Sequence, residues 1–242
     1  MRYLVNISYD GTNFYGFQIQ NDKRTIEEEI ETKLSKILNK ETKIIGCSRT
    51  DKGVHANDFY FHFDSEKDLD INKMKKSLND LTSDEIYIKG IEKINEEFHA
   101  RYNVKNKEYL YIINTGDYNP IKRNIELQYN KPISTDLLKE ASTHLLGKHN
   151  FKSFTSDNDK ENYIRTINYI NFEIDNNIIK IYINADGFLK YMVRNIIGLF
   201  LDINEGKKNI EDIKNILESQ NRETLGIKAP ANGLYLNKVN YI

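Results

Sequence analysis

Gly46-Cys47-Ser48-Arg49-Thr50-Asp51-Lys52-Gly53-Val54-His55-Ala56-Asn57-Asp58-Phe59-Tyr60-Phe61-His62-Phe63 is the stretch on which the fold turns. Its first part, Gly46 to Asn57, crowds polar and ionisable groups between glycines and reads as a loop. Its second part alternates Phe59, Phe61 and Phe63 with Tyr60 and His62, the period of two that belongs to a strand. Thr42 to Ile45, just upstream, is strand-like as well, so the loop joins two strands and a rigid scaffold presents its polar groups to a ligand. The loop lacks the glycine spacing and the Lys-Ser/Thr end of a phosphate-binding loop. No helix follows it to hold phosphate at its N-terminus. On local pattern alone, Asp51 accepts hydrogen bonds from the turn backbone.

Outward from this stretch the chain alternates short strands and helices. Tyr3, Val5, Ile7 and Tyr9 alternate with Leu4, Asn6 and Ser8, a strand that Asp10-Gly11 turns. Thr25 and Glu28 form a capping box, and Ile26, Ile30, Leu34, Ile37 and Leu38 place a helix from there to about Asn39. Ile71, Met74 and Leu78 mark the inner face of a second helix, and a strand is expected around Ile86 to Ile94. The polar, basic segment Phe98 to Lys107 separates this set from a second, which places the domain boundary between residues 103 and 104. Tyr109 to Ile113 reads as a strand, and Asp136 to Leu146 as a helix closed by Gly147. Across Asn176-Asn177, Ile170, Phe172 and Ile174 face Ile179, Ile181 and Ile183 in a hairpin. Helices are expected over Leu189 to Ile203 and Ile210 to Leu217, and a short strand after Ala229 to Leu236. Strands and helices without strict alternation give two α+β domains, residues 1–103 and 104–242.

Composition removes several classes. A chain of 242 residues with 39% hydrophobic and 29% charged residues buries one sizeable core or two small ones and is neither disordered nor fibrous. The single Cys47 excludes an intramolecular disulfide framework, and no Cys/His grouping has zinc-site spacing, so a reduced, metal-free, cytoplasmic protein is expected. Asn6 and Ser8 interrupt the N-terminal apolar run, and no stretch approaches the roughly 20 apolar residues of a membrane span. A net charge of -1 does not advertise a nucleic-acid partner, which leaves the decision to local charge: Lys33, Lys36, Lys40 and Lys43; Lys73, Lys75 and Lys76; Arg101, Lys105 and Lys107. By themselves such runs read as solvated faces.

Arg49-Thr50-Asp51-Lys52-Gly53-Val54-His55-Ala56 resembles the signature loop of the tRNA pseudouridine synthase A family. Tyr9-Asp10-Gly11-Thr12 with Gly16 and Gln18 is similar to that family's opening, and Phe98-His99-Ala100-Arg101 and Tyr109-Leu110-Tyr111 to its middle. Gly187-Phe188-Leu189 with Met192-Val193-Arg194 resembles its long helix, and Ala229-Pro230 with Gly233-Leu234-Tyr235-Leu236 its end, so the likeness spans nearly the whole chain. Cys47 and Ser48 stand where Ala and Gly are usual, and Lys52 occupies a variable place.

The resemblance implies two ferredoxin-like domains, sheets joined edge to edge, with a central active-site cleft, in a homodimer that binds one tRNA across both subunits. It implies an isomerase that converts uridine to pseudouridine at positions 38–40 of the tRNA anticodon stem-loop and uses no cofactor. By the same resemblance Asp51 is the nucleophile and Arg194 its cation, since an arginine within a few ångströms favours an ionised carboxylate. Read alone, Arg194 is an arginine snorkelling from a helix flank. Tyr109 matches the tyrosine that stacks on the uracil and helps take the C5 proton; Tyr111, on the same strand face, is its rival. Arg49 is the candidate to fill the gap left by the flipped base and to bind phosphate. His55, His62, His99, His144 and His149 are expected in packing or surface roles. Two other classes compete: a catalytically idle tRNA-binding protein on the same fold, and a hydrolase pairing Asp10 with Asp51.

Overall fold

Strand β1 (Arg2–Tyr9) forms where the alternation puts it and buries Tyr3, Val5, Ile7 and Tyr9. The computed structural model describes residues 1–242 and separates into two compact units, Met1–Lys105 with Tyr235–Ile242, and Asn106–Leu234. In the first, helix α1 (Ile26–Leu38) starts at Thr25, whose hydroxyl accepts from the Glu28 amide at 3.4 Å, and stops at Asn39 in the left-handed region. Strands β2 (Ile45–Gly46) and β3 (His55–Asp64) follow, then helix α2 (Ile71–Leu81), capped by Asp70, and strand β4 (Ile86–Ile94). β1 runs antiparallel to both β3 and β4, with Val5 opposite Phe61 on one side and Ile91 on the other. Ile26, Ile30 and Leu34 of α1, Met74 and Leu78 of α2, and Phe59, Phe61 and Phe63 of β3 are all buried. Ile71 is only half-buried.

Two local expectations shift. The strand expected from Thr42 shrinks to β2, because the Thr42 amide donates to the Ser35 hydroxyl and the Ile44 amide to the Glu31 carboxylate. Those amides are spent on α1 instead of a ladder. The loop ends sooner than Asn57, because His55 and Ala56 already pair in parallel with Tyr235 and Leu236 of the terminal strand, Leu234–Tyr241.

In the second unit, β5 (Val104–Asn114) is followed by β6 (Leu127–Gln128), α3 (Thr135–Thr143), β7 (Gly147–Asn150), β8 (Ile164–Asp175), β9 (Ile178–Ala185), α4 (Met192–Asn204) and α5 (Asp212–Ser219). The order β5-β9-β8-β7 is antiparallel throughout. The β8–β9 hairpin has the expected register, Ile170 opposite Ile183, Phe172 opposite Ile181 and Ile174 opposite Ile179, with Asn176 at φ 52° in the turn. α4 is buried from Met192 to Ile203 at all positions but Arg194, so it forms the centre of this unit's core.

Here too some boundaries move. α3 ends at Thr143, since the Leu145 and Leu146 amides bond three residues back, to Ser142 and Thr143, and tighten the last turn. Gly147, at φ 85°, therefore opens β7 instead of closing the helix. α4 starts at Met192 and not at Leu189, because Tyr191 takes φ 65° and breaks the helical path. The terminal strand, expected within a second domain of 104–242, folds with the first unit because it pairs with β3.

Candidate active site

The four residues picked from the sequence divide between the units: Arg49 and Asp51 on the first, Tyr109 and Arg194 on the second. Asp51, half-buried, lies on the loop Cys47–Val54 between β2 and β3. The segment Asp10–Phe17 clamps that loop. The Phe17 amide donates to the Thr50 carbonyl and the Gly53 amide to the Phe14 carbonyl, both at 3.2 Å, and the Tyr9 and Thr50 hydroxyls meet at 2.8 Å. Contact is close enough to demand glycine on the clamping side. A Cβ on Gly11 would stand 2.0 Å from the Val54 carbonyl oxygen, and one on Gly16, itself at φ 94°, 2.4 Å from that of Thr50.

His55 anchors the far end of the loop. Its ring is 1% exposed and stacks on Tyr235 at 4.6 Å, while Nδ1 lies 3.1 Å from the Gly11 amide nitrogen and 3.0 Å from Asp10 Oδ1. Asp10 also accepts from the Thr12 amide at 2.9 Å and the Thr12 hydroxyl at 2.5 Å. Against its partial burial, these bonds from Thr12 and the neighbouring His55 hold the Asp10 carboxyl below the usual range. Asp10 is thus a structural acceptor at the turn after β1, which weighs against its pairing with Asp51 in a hydrolase. Arg49 is exposed, and its charge opposes the upward push that burial gives the Glu27 carboxyl.

On the second unit, Tyr109 is buried in β5 with its ring edge-on to Phe188 at 4.9 Å. Tyr111 is fully buried, donates its hydroxyl to the Pro230 carbonyl at 2.9 Å, and has its phenol pushed up by burial, against the pull of Arg194. Arg194 projects from the first turn of α4. Its Nε donates to the Ala229 carbonyl at 2.8 Å, and the Ala229 amide returns a bond to the Arg194 carbonyl at 3.0 Å. The motif Ala229-Pro230 thus fixes both tyrosine and arginine through its backbone.

Sequence reading passes over Tyr191. This bulky residue in the left-handed region, just ahead of α4, carries three cations near its ring: Lys228 Nζ at 3.7 Å, Lys190 Nζ at 5.3 Å and the Arg194 guanidinium at 5.5 Å. Such backbone is strained by about 1–3 kcal/mol and concentrates at functional sites. The only sequence signal is an aromatic residue between Lys190 and Arg194, which is too common to single out.

The family of tRNA pseudouridine synthases matches this chain over residues 6–103 and 141–242, which takes in the Asp51 loop, α4 and the terminal strand. The chain belongs to that family, whose members are isomerases acting on tRNA. Among named relatives, "tRNA pseudouridine synthase A 2" of Bacillus cereus (strain ATCC 10987 / NRS 248) is 38% identical over 242 residues, 99% of each chain. "tRNA pseudouridine synthase A 2" of Clostridium perfringens is 38% identical over 98% of each chain. "tRNA pseudouridine synthase A" of Streptococcus agalactiae is 40% identical over 99% of this chain and 95% of its own.

Proposed function

We propose that this pseudouridine synthase acts on uridines 38–40 of the tRNA anticodon stem-loop with Asp51 as its nucleophile. The reaction breaks the bond from N1 to ribose C1′, turns the uracil and joins C5 to C1′. The C5 proton leaves and N1 gains one, so atoms and charge balance without an oxidant or a second substrate. Asp51 attacks as the carboxylate, Arg194 supplies the cation that favours its ionised form, Tyr109 stacks on the uracil and assists loss of the C5 proton, and Arg49 holds the gap and phosphate of the extruded nucleotide.

The observation that carries this reading is the clamp on the Asp51 loop: two backbone bonds from Phe14 and Phe17, the Tyr9–Thr50 contact, and glycines at 11 and 16 that let the segments touch. A loop held this tightly presents a preorganised carboxylate, which is what attack geometry requires. On the second unit, the paired bonds between Arg194 and Ala229 hold the arginine equally firmly.

In this reading residues 1–103, completed by the terminal strand, are the domain of the catalytic aspartate, and the rest of residues 104–242 is that of Tyr109 and Arg194. Both are ferredoxin-like in this reading. The antiparallel pairings of β1 with β3 and β4, and of β2 with β3, support that assignment for the first. The protein works in the cytoplasm as a homodimer.

The test is tritium release from tRNA labelled at uridine C5. Asp51→Asn keeps the size and the hydrogen-bonding reach but removes the charge, so release falls by at least about a thousandfold while tRNA binding survives. Appreciable turnover by this variant sinks the assignment of Asp51. Binding without release by the wild-type chain means an idle tRNA-binding protein.

A further inference from the structure

We propose that Tyr15 gathers Lys23 and Lys52 into a preorganised clamp for backbone phosphates of the RNA, beside the nucleotide that Asp51 attacks. The Tyr15 ring is 36% exposed, with Lys52 Nζ 3.9 Å and Lys23 Nζ 4.9 Å from its centroid. The two lysines come from different segments. Lys52 directly follows Asp51, and Lys23 lies on the turn that brings the chain back from Tyr15, where the Tyr15 amide donates to the Arg24 carbonyl and Gln20 Nε2 to the Tyr15 carbonyl.

What marks the pair is that two lysines without an ion pair meet at one ring. Elsewhere in this unit Lys40, Lys43, Lys89 and Lys93 each have a carboxylate within 4.0 Å, whereas neither Lys23 nor Lys52 has one. Two ammonium groups within 4.9 Å of one ring centroid repel each other, with no carboxylate ion-paired to either. A phosphodiester offsets that repulsion. The ring meanwhile confines two long side chains before RNA arrives, which reduces the ordering that binding must impose. The Tyr15 phenol is drawn down by Lys52, consistent with this close approach. On a chain of net charge -1, such local pairs let an acidic substrate be held without a basic domain.

This inference rests on Asp51 being the group that meets the uridine, and it is tested by a different readout. tRNA binding to the full chain is followed by fluorescence anisotropy across a potassium chloride series. Lys23→Ala and Lys52→Ala each reduce the slope of log affinity against log salt by about 0.8 and weaken binding about fivefold near ~0.1 M salt. Tyr15→Leu retains both charges and weakens binding about threefold through lost ordering, whereas Tyr15→Phe, which keeps the ring, binds as the wild type does. Lys76→Ala on α2 leaves the slope unchanged. Unaltered slopes in both lysine variants overturn the clamp, and wild-type affinity in Tyr15→Leu overturns the role of the ring. Tritium release judges the enzymatic reading separately, so either can fail alone.

Discussion

Tyr109 and Tyr111 stand two residues apart on one face of β5, yet their surroundings assign them different tasks. Tyr111 is sealed in the core with its hydroxyl on the Pro230 carbonyl, so Tyr111→Phe leaves that carbonyl without this donor. The expected cost is about 1–2 kcal/mol, read as a fall of roughly 2–8 °C in Tm, with pseudouridine formation retained. In the proposed mechanism Tyr109, edge-on to Phe188, is the ring that meets the uracil. Tyr109→Leu is expected to reduce single-turnover cleavage of the N1 bond by about 5- to 150-fold, from a stacking contribution of about 1–3 kcal/mol. Tyr109→Phe keeps the ring and so cleaves, but it slows the final C5 deprotonation if the phenol takes part. Equal, small losses in both positions would show that neither ring meets the base.

At the scale of elements, the Asp51 loop is held less by its own turns than by the segment after β1. Gly16 sits at φ 94° with the Thr50 carbonyl 2.4 Å from where a Cβ would be. Gly16→Ala therefore combines backbone strain with a clash against the loop itself, and the loop must retreat. Its thermal unfolding is expected to shift by about 1–3 kcal/mol, and kcat to fall at least about tenfold with a smaller change in KM, because a displacement near 1 Å spoils attack geometry more than binding. A variant with lowered Tm and unchanged kcat would reduce the clamp to simple packing.

The first unit as a whole should resist acid poorly. His62, 2% exposed in β3, accepts from the Ala100 amide at 3.1 Å and packs edge-on to His99 at 5.0 Å. Burial first, then the charges of Arg2 and His99, pull its pKa from 6.5 down to about 4. The unfolded chain thus binds more protons between those two values, so stability rises with pH across the window and is lost as pH falls from about 6.5 toward about 4. The loss amounts to about 3 kcal/mol at most. In His62→Gln, whose amide oxygen can still accept from Ala100, the unfolding midpoint in urea is expected to vary less with pH. An identical pH profile for the variant would assign the acid sensitivity elsewhere.

Local chemistry in the chain was sufficient for most of the elements, though not for the short strands β6 and β7. Alternation drew β1, the Phe59 to Phe63 strand and the β8–β9 hairpin with its register, and Thr25 and Glu28 drew the start of α1, because each depends on residues a turn or a pleat apart. The same stretches held the signature loop and the family. Only the tertiary structure decided that the terminal strand joins the first unit, that Tyr191 interrupts the helix at φ 65°, that His55 is lodged between Asp10 and Tyr235, and that Lys23 and Lys52 share one ring. Each of these arises where segments distant in sequence press on one another, and such contacts override propensity and leave no period in the chain to read.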